Sequence, residues 1–330
     1  MHSKNSIAFR PAFGLKNPHI QTLYSTLFRK SKALDFEIER FALSDGDFVE
    51  CFWYQKAMPT QKHPIVVLFH GLEGSYLSPY IQGMIETLLT HGYTPVLMHF
   101  RGCSGKENLL SRAYHSGDTS DAKAWIDALH RAYPHAPLFA IGYSIGGNML
   151  LKLLGEWKAD SPLVAMVSIS APQQLDICAN HINKGFAKIY QYHLMRHLKK
   201  SLLQKYKTHP MQSLIGINEN AVKDLKTFWD FDGAYTAPIH GFSSAKEYYA
   251  LSSAKQYIKY ICTPTLIIHA IDDPFMSSDI LPSKEELSEH VTLEVSKHGG
   301  HVGFISGSIF RPKYWLEERI ITYFNQQKVS

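Results

Sequence analysis

Leu138-Phe139-Ala140-Ile141-Gly142-Tyr143-Ser144-Ile145-Gly146-Gly147-Asn148 is the stretch on which the reading of this chain turns. Leu138 to Ile141 is an apolar run with β-forming character, and Gly146 to Trp157 carries helical spacing. A strand that becomes a helix within about one residue holds its central residue at strained backbone angles, and glycines are needed on either side where chain and neighbours crowd. Ser144 is that residue, flanked by Gly142 and Gly146. The turn lifts its hydroxyl above the sheet at a helix N-terminus, where the N–H of Ile145 faces any oxyanion formed by attack on a carbonyl. Strand, glycine turn and helix also build dinucleotide sites. There, however, a middle glycine lets the backbone approach a pyrophosphate, and Ser144 in that place obstructs it.

Upstream of the turn, residues 1–33 read as an irregular arm, because Pro11, Gly14 and Pro18 interrupt any element. Leu34 to Leu43 and Phe48 to Tyr54 alternate about Asp45-Gly46, a hairpin signal. Ile65 to Phe69 is a continuous apolar run suited to a strand buried on both faces. It ends in His70-Gly71-Leu72-Glu73-Gly74-Ser75, whose glycines allow the backbone to fold back over the sheet; the N–H of Leu72 is the expected second oxyanion donor. His70 is expected to hold this loop by hydrogen bonds to backbone. A helix over Pro79 to Thr90, a strand over Thr94 to Phe100 and a helix started by Asp118, Thr119 and Asp121 and running to about Tyr133 precede the central turn.

Downstream, strand Val164 to Ser170 is followed by a break in the alternation from Pro172 to about Ile261. This insert is rich in aromatics and helical pieces, notably Phe186 to Tyr206, and reads as a cap over a site at the strands' carboxyl ends. Its apolar stripe suits core packing first, then the walls of an acyl pocket, then a basic amphipathic face on a membrane. The sheet resumes with Pro264 to Ala270 and ends with Val291 to Val295, and a terminal helix is expected over Pro312 to about Phe324. The units are therefore the arm 1–33, a core of 34–171 and 262–330, and the cap insert 172–261. Strands alternating with helices imply βαβ units, a mostly parallel sheet and ligands at its carboxyl edge.

Two loops at that edge hold partners for a serine. Asp272 and Asp273 follow one late strand, and the run from His269 to Pro274 favours Asp273 as the acid, with Asp272 the alternative. His298 and His301 follow the last strand, and His301, after Gly299-Gly300, is the expected base because flanking glycines let its ring swing towards Ser144. The two histidines with Asp272 or Asp273 make a poor metal set, since they lie in a glycine loop at a spacing of three and a serine nucleophile leaves no task for an ion. No metal or cofactor is expected.

Composition narrows the partners. With 45% hydrophobic and 19% charged residues in 330, the chain can bury a substantial core. A net charge of +5, read as spread along the sequence and without a basic block interleaved with aromatics, does not argue for nucleic acid. Residues 1–13 lack a signal-peptide core, and no apolar run approaches the ~18 residues of a membrane span. Cys51, Cys103, Cys178 and Cys262 are far apart, which suits reduced thiols. The expectation is a cytoplasmic protein with no membrane insertion, whose contact with lipid is at most peripheral.

The order Ser144, Asp273, His301 is that of the α/β-hydrolases. Further motifs sharpen the likeness: Phe9-Arg10-Pro11 with Asn17-Pro18-His19-Ile20-Gln21-Thr22, His99-Phe100-Arg101-Gly102-Cys103-Ser104-Gly105, Tyr114-His115-Ser116-Gly117-Asp118-Thr119, His240-Gly241-Phe242 and Gly299-Gly300-His301-Val302-Gly303-Phe304. On these the chain resembles the YheT-like branch of the superfamily, bacterial esterase-like proteins related to eukaryotic hydrolase-domain lipases and ethyl-ester-forming acyltransferases. The resemblance implies an α/β-hydrolase fold, a mostly parallel sheet flanked by helices and carrying a helical cap. It implies catalytic roles for Ser144, Asp273 and His301 and a small acyl-ester substrate. Gly233 departs from the pattern, since a second acidic residue is more usual after Phe231-Asp232. The expected reaction is hydrolysis of short- to medium-chain carboxylic esters through an acyl-enzyme, with acyl transfer to an alcohol as a variant and a silent binding module as the rival. The sequence leaves the oligomeric state open.

Overall fold

Gly142 lets the chain turn sharply at the end of strand β5 (Leu138–Tyr143) into a long helix (Ile145–Trp157). A Cβ on Gly142 would lie 2.5 Å from the Gly146 carbonyl oxygen, and one on Gly146 would lie 2.7 Å from the carbonyl oxygens of Phe69 and His70. Both approaches are too close for any side chain, so the glycines set how tightly strand and helix pack. The fold is seen in a computed structural model that describes residues 8–29, 34–54 and 63–327.

Eight strands form one sheet. They are β1 (Glu37–Ala42), β2 (Phe48–Trp53), β3 (Ile65–Phe69), β4 (Thr94–Met98), β5, β6 (Leu163–Ile169), β7 (Thr265–Ala270) and β8 (Val291–Ser296), in the spatial order β1-β2-β4-β3-β5-β6-β7-β8. The pairs β1–β2 and β2–β4 are antiparallel, and every pairing from β4 to β8 is parallel. Strand β3 alternates cleanly between two cores. Ile65, Val67 and Phe69 pack with Trp125, Met149 and Leu153 on one face, and Val66 and Leu68 pack with Ile81, Ile85 and Phe324 on the other. Such two-sided burial explains why β3 to β7 read as uninterrupted apolar runs. Chain direction across the sheet reverses between β3 and β5, which places the ligand crevice above their carboxyl ends.

Four expectations are corrected. The arm is not irregular throughout: α1 (Pro18–Phe28) is a helix whose N-cap, Asn17, accepts from the N–H groups of His19 and Ile20. Pro18 stands at its first position, where a missing N–H costs nothing, so the residue taken as a breaker is a starter. The terminal helix begins at Trp315, because Pro312–Tyr314 pairs with Ile305–Gly307 as a small antiparallel ribbon. Strand β4 ends at Met98, and the helix Ser120–Ala132 is not capped by Thr119. The Thr119 hydroxyl donates to Glu156 instead, and Asp121 takes a bidentate bond from Arg101 at 2.6 and 2.7 Å.

Arg101 is almost wholly buried and also reaches Asp47 at 3.0 Å and Asp45 at 2.8 Å. It therefore ties the β1–β2 hairpin and the helix Ser120–Ala132 to the loop after β4. Asp47, itself buried, further accepts from the N–H groups of Phe48, Leu109 and Leu110 and from the Asn108 amide. Removing the cation strands two buried carboxylates. Arg101→Leu is expected to cost about 3–5 kcal/mol of stability, read by urea denaturation, whereas loss below about 1 kcal/mol would mean the network is dispensable.

Between β6 and β7 the described residues contain no strand. After the core helices α2 (Pro79–Thr90), α3 (Ser120–Ala132) and α4 (Ile145–Trp157), the segment carries α5 (Leu175–Ile182), α6 (Ala187–Lys205) and a later helix, Ala245–Ser252, with shorter turns between them. Residue Gly233, where the family pattern differs, has open space around the position of a side chain. No helix among the described residues is long and apolar enough to cross a membrane.

Candidate active site

Ser144 sits at φ +52° and ψ −120°, a conformation costly for any residue with a side chain, and its own N–H is held by the Ile169 carbonyl at 2.8 Å. Because β3 pairs with β5 with Phe69 opposite Gly142, the loop after β3 lies directly against it: a Cβ on Gly71 would touch the Ser144 Cβ at 3.3 Å. Tyr80 Oη accepts from the Gly71 N–H at 2.9 Å and Tyr114 Oη accepts from the Glu73 N–H at 2.9 Å, holding the loop on both sides of Leu72. Among the described residues no hydrogen bond occupies the N–H of Leu72 or of Ile145, and both residues line the cavity beside Ser144.

His70 braces the same loop. Its Nδ1 donates to the Gly71 carbonyl at 2.7 Å and its Nε2 accepts from the Phe100 N–H at 3.2 Å, as expected from sequence. Behind it His99 is bonded to the Glu50 carbonyl and the Tyr76 N–H. Burial holds His70 down to about 4 and His99 to about 3, so both stay neutral in the folded chain. The unfolded chain takes up protons near pH 6.5 while the native one does not. Each of these histidines therefore favours folding above pH 6.5 and loses that contribution as pH falls towards its folded value. Thermal stability is expected to fall steeply between about pH 6.5 and 4, by up to about 1.4 kcal/mol per unit for each group, and His99→Gln should flatten the profile. A profile unchanged by that substitution would overturn the assignment.

The candidate acid and base come from loops after β7 and β8. Asp273 is buried; its Oδ2 accepts from His301 Nδ1 at 2.8 Å while its Oδ1 accepts from the Phe275 N–H at 2.8 Å. The Phe275 ring lies flat on the imidazole, 4.1 Å between centroids and 8° from parallel. Asp272 takes a different partner, accepting from His298 Nδ1 at 3.1 Å and the Gly300 N–H at 3.0 Å. The two carboxylates and two histidines thus sort into an inner pair, Asp273–His301, and an outer pair, Asp272–His298.

The glycines around His301 let its loop pack closely. Gly300 has φ +58°, and a Cβ there would lie 2.5 Å from the Pro18 carbonyl oxygen; one on Gly303 would lie 2.3 Å from that of Gln21. The loop is clamped against α1: the Thr22 hydroxyl accepts from the His301 N–H at 2.9 Å, and Gln21 bonds Ile305 at both its N–H and its carbonyl. Ser170 accepts from the Val302 N–H on the other side at 3.1 Å. Thr22, Phe275, Tyr80 and Tyr114 are positioning residues that sequence reading missed. Asn17-Pro18, a cap followed by a proline, was the available signal for the first of them.

Ser144 and His301 face the same cavity of about 420 Å³. Its walls are mainly apolar, with Leu175, Leu194, Phe228, Tyr235 and Tyr248 from the insert. The hydroxyl of Ser144 makes no hydrogen bond within the described residues, to His301 or to any other group. One trio of metal-ligand type, His115, Asp118 and His240, gathers its ligand atoms within 4.8 Å, but Asp118 is already held by Arg112 at 3.2 Å and Ser120 at 2.9 Å.

Residues 64–308 match the family described as alpha/beta hydrolase fold. This chain belongs to that family. It is 43% identical over 316 residues to "Putative esterase YheT" of Escherichia coli, covering 96% of this chain and 92% of that one, in agreement with the branch its motifs resemble. Phospholipase ABHD3 of Homo sapiens is 27% identical, covering 94% of this chain and 76% of that one. Among solved structures, the Pyrococcus furiosus esterase Pf2001 shares the fold at a TM-score of 0.56 and 17% identity, covering 99% of each chain. In this hydrolase the mostly parallel sheet carries the cavity at its carboxyl edge.

Proposed function

We propose that this protein hydrolyses carboxylic esters with short- to medium-chain acyl groups, using Ser144 as nucleophile, His301 as base and Asp273 as its acid. The observation that carries the reading is the Asp273–His301 bond at 2.8 Å in the wall of the cavity that holds Ser144. His301 Nε2 takes the serine proton as Oγ attacks the ester carbonyl. Asp273 keeps Nδ1 protonated and supports the imidazolium that forms. The N–H groups of Leu72 and Ile145 receive the oxyanion. Collapse expels the alcohol, protonated by His301, and water activated by the same imidazole releases the acid. Residues 172–261 act as the cap that walls the acyl pocket. Family membership and the esterase relative support this chemistry.

A panel of p-nitrophenyl esters from acetate to palmitate tests the substrate class. Rates are expected to peak at acyl chains of roughly four to ten carbons, as suits a cavity of modest depth with apolar walls. A steady rise to palmitate would overturn the chain-length assignment. Labelling with a fluorophosphonate distinguishes an enzyme from a silent binding module: an adduct on Ser144 of the folded protein is expected, and its absence would favour the module.

A further inference from the structure

The charge of this chain is not spread along it, as composition suggested. Residues 177–218 hold seven of the 34 Lys and Arg residues and none of the 29 Asp and Glu, so the rest of the chain is slightly acidic. All of these cations but Lys205, which is buried against Asn108 in the wall of the Ser144 cavity, lie outside that cavity's lining. Helix α6 turns Tyr190, Leu194 and Leu198 into the cavity and leaves Lys188, Arg196 and Lys200 exposed on its other side. Arg196, Lys199, Lys200, Lys207 and Lys223 line a shallow basic groove there, and among the described residues none of these five, nor Lys184 or Lys188, forms an ion pair.

Apolar side chains stand beside this charge. Phe186, Ile189 and Tyr192 are 55%, 47% and 63% exposed, and α1 adds Leu27 and Phe28 at 66% and 65%. The two helices meet where the His19 ring lies 4.4 Å from that of Phe186 and its Nδ1 lies 3.1 Å from Tyr190 Oη. Leu23 of α1 lines the cavity and is itself 38% exposed, so the cavity opens next to these apolar residues. Unpaired cations beside exposed aromatic and aliphatic side chains are the pattern of a surface that seats in the headgroup region of an anionic bilayer.

We infer that the face formed by α6 and α1 docks this hydrolase onto anionic lipid bilayers, with the cavity mouth turned to the lipid. The inference deepens the proposed function by naming where its acyl esters are met. The cations supply long-range attraction to anionic headgroups, and Ile189 and Tyr192 enter the interface once contact is made. None of these side chains lines the cavity or touches the proposed triad.

Cosedimentation of the full chain with vesicles tests this. Binding is expected to equimolar phosphatidylglycerol and phosphatidylcholine vesicles at low salt, with at least tenfold weaker binding to phosphatidylcholine alone and loss at high ionic strength. Arg196→Gln/Lys200→Gln/Lys207→Gln should weaken binding roughly 100-fold and Ile189→Ser/Tyr192→Ser about tenfold. Both variants should keep wild-type hydrolysis of soluble p-nitrophenyl butyrate, which shows that they fold. Equal binding to neutral vesicles, or wild-type binding by the triple variant, would overturn the proposal. So would failure to bind anionic vesicles while binding heparin or RNA, which would assign the groove to a polyanion. Loss of soluble-ester hydrolysis by the wild type would instead remove the proposed function and leave the docking result standing.

Discussion

Ser144→Ala is expected to lower kcat for p-nitrophenyl butyrate by about 10³- to 10⁶-fold with little change in stability. The size follows from what is removed: the attacking oxygen itself, leaving only the oxyanion donors and the cavity to favour hydrolysis by water. Stability should be spared because the Ser144 hydroxyl makes no hydrogen bond among the described residues, and alanine suffers the same φ of +52° that serine does. Ser144→Gly separates strain from chemistry. Glycine adopts that conformation freely, so this variant should be as inactive as Ser144→Ala yet more stable by about 1 kcal/mol. Equal turnover by wild type and Ser144→Ala would refute the nucleophile, and a less stable glycine variant would refute the strain at the turn. Stopped esterase assays and thermal unfolding read the two quantities independently.

Asp273→Asn should cost about 10³- to 10⁴-fold in kcat, and Asp272→Asn less than about tenfold. An amide at 273 can donate to Nδ1, which selects the ring tautomer with its proton on Nε2 and removes the lone pair needed to take the serine proton. It also leaves the imidazolium without a counter-charge in a buried place, since Asp273 is 3% exposed. Asp272 instead serves the outer pair, and its Oδ1 bond to the Gly300 N–H holds the loop without touching His301. An amide oxygen can still accept that bond. The reverse ranking of the two variants would exchange the acids, and similar modest losses in both would mean that neither carboxylate orients the base. His301→Gln should match the Asp273→Asn loss or exceed it.

Much of this site was legible in the linear chain because its demands are local. A strand that must turn into a helix at Ser144 needs glycines at 142 and 146, and both approaches fall below 2.8 Å in space. The parallel sheet was legible for a related reason: strands covered on both faces cannot alternate, so β3 and β5 appear as unbroken apolar runs. Pairing two carboxylates with two histidines was harder. Asp272 and Asp273 are chemically alike, and only the paths of two loops from neighbouring strands decide that one meets His298 and the other His301.

What no local rule could supply depends on residues far apart in sequence. Proline and glycine in the arm read as interruptions, yet α1 forms there because its Thr22 and Gln21 find the His301 loop some 280 positions away, and the helix is stabilised by that docking. Glycines 300 and 303 took their meaning from the same contact. The Arg101 cluster likewise needs the hairpin, the loop after β4 and the following helix to converge before Arg101, Asp47 and Asp121 can be buried together. The cations of the insert were visible in the sequence, but their common outward face exists only because α6 commits its opposite side to the cavity. Sequence by itself determined the elements whose backbone has one way to fit: the strained turn, the buried strands and the edge where the cavity lies. Tertiary structure decided the partnerships, because hydrogen bonds and ion pairs between distant loops are specified by where the sheet carries them and by nothing in their own neighbourhood.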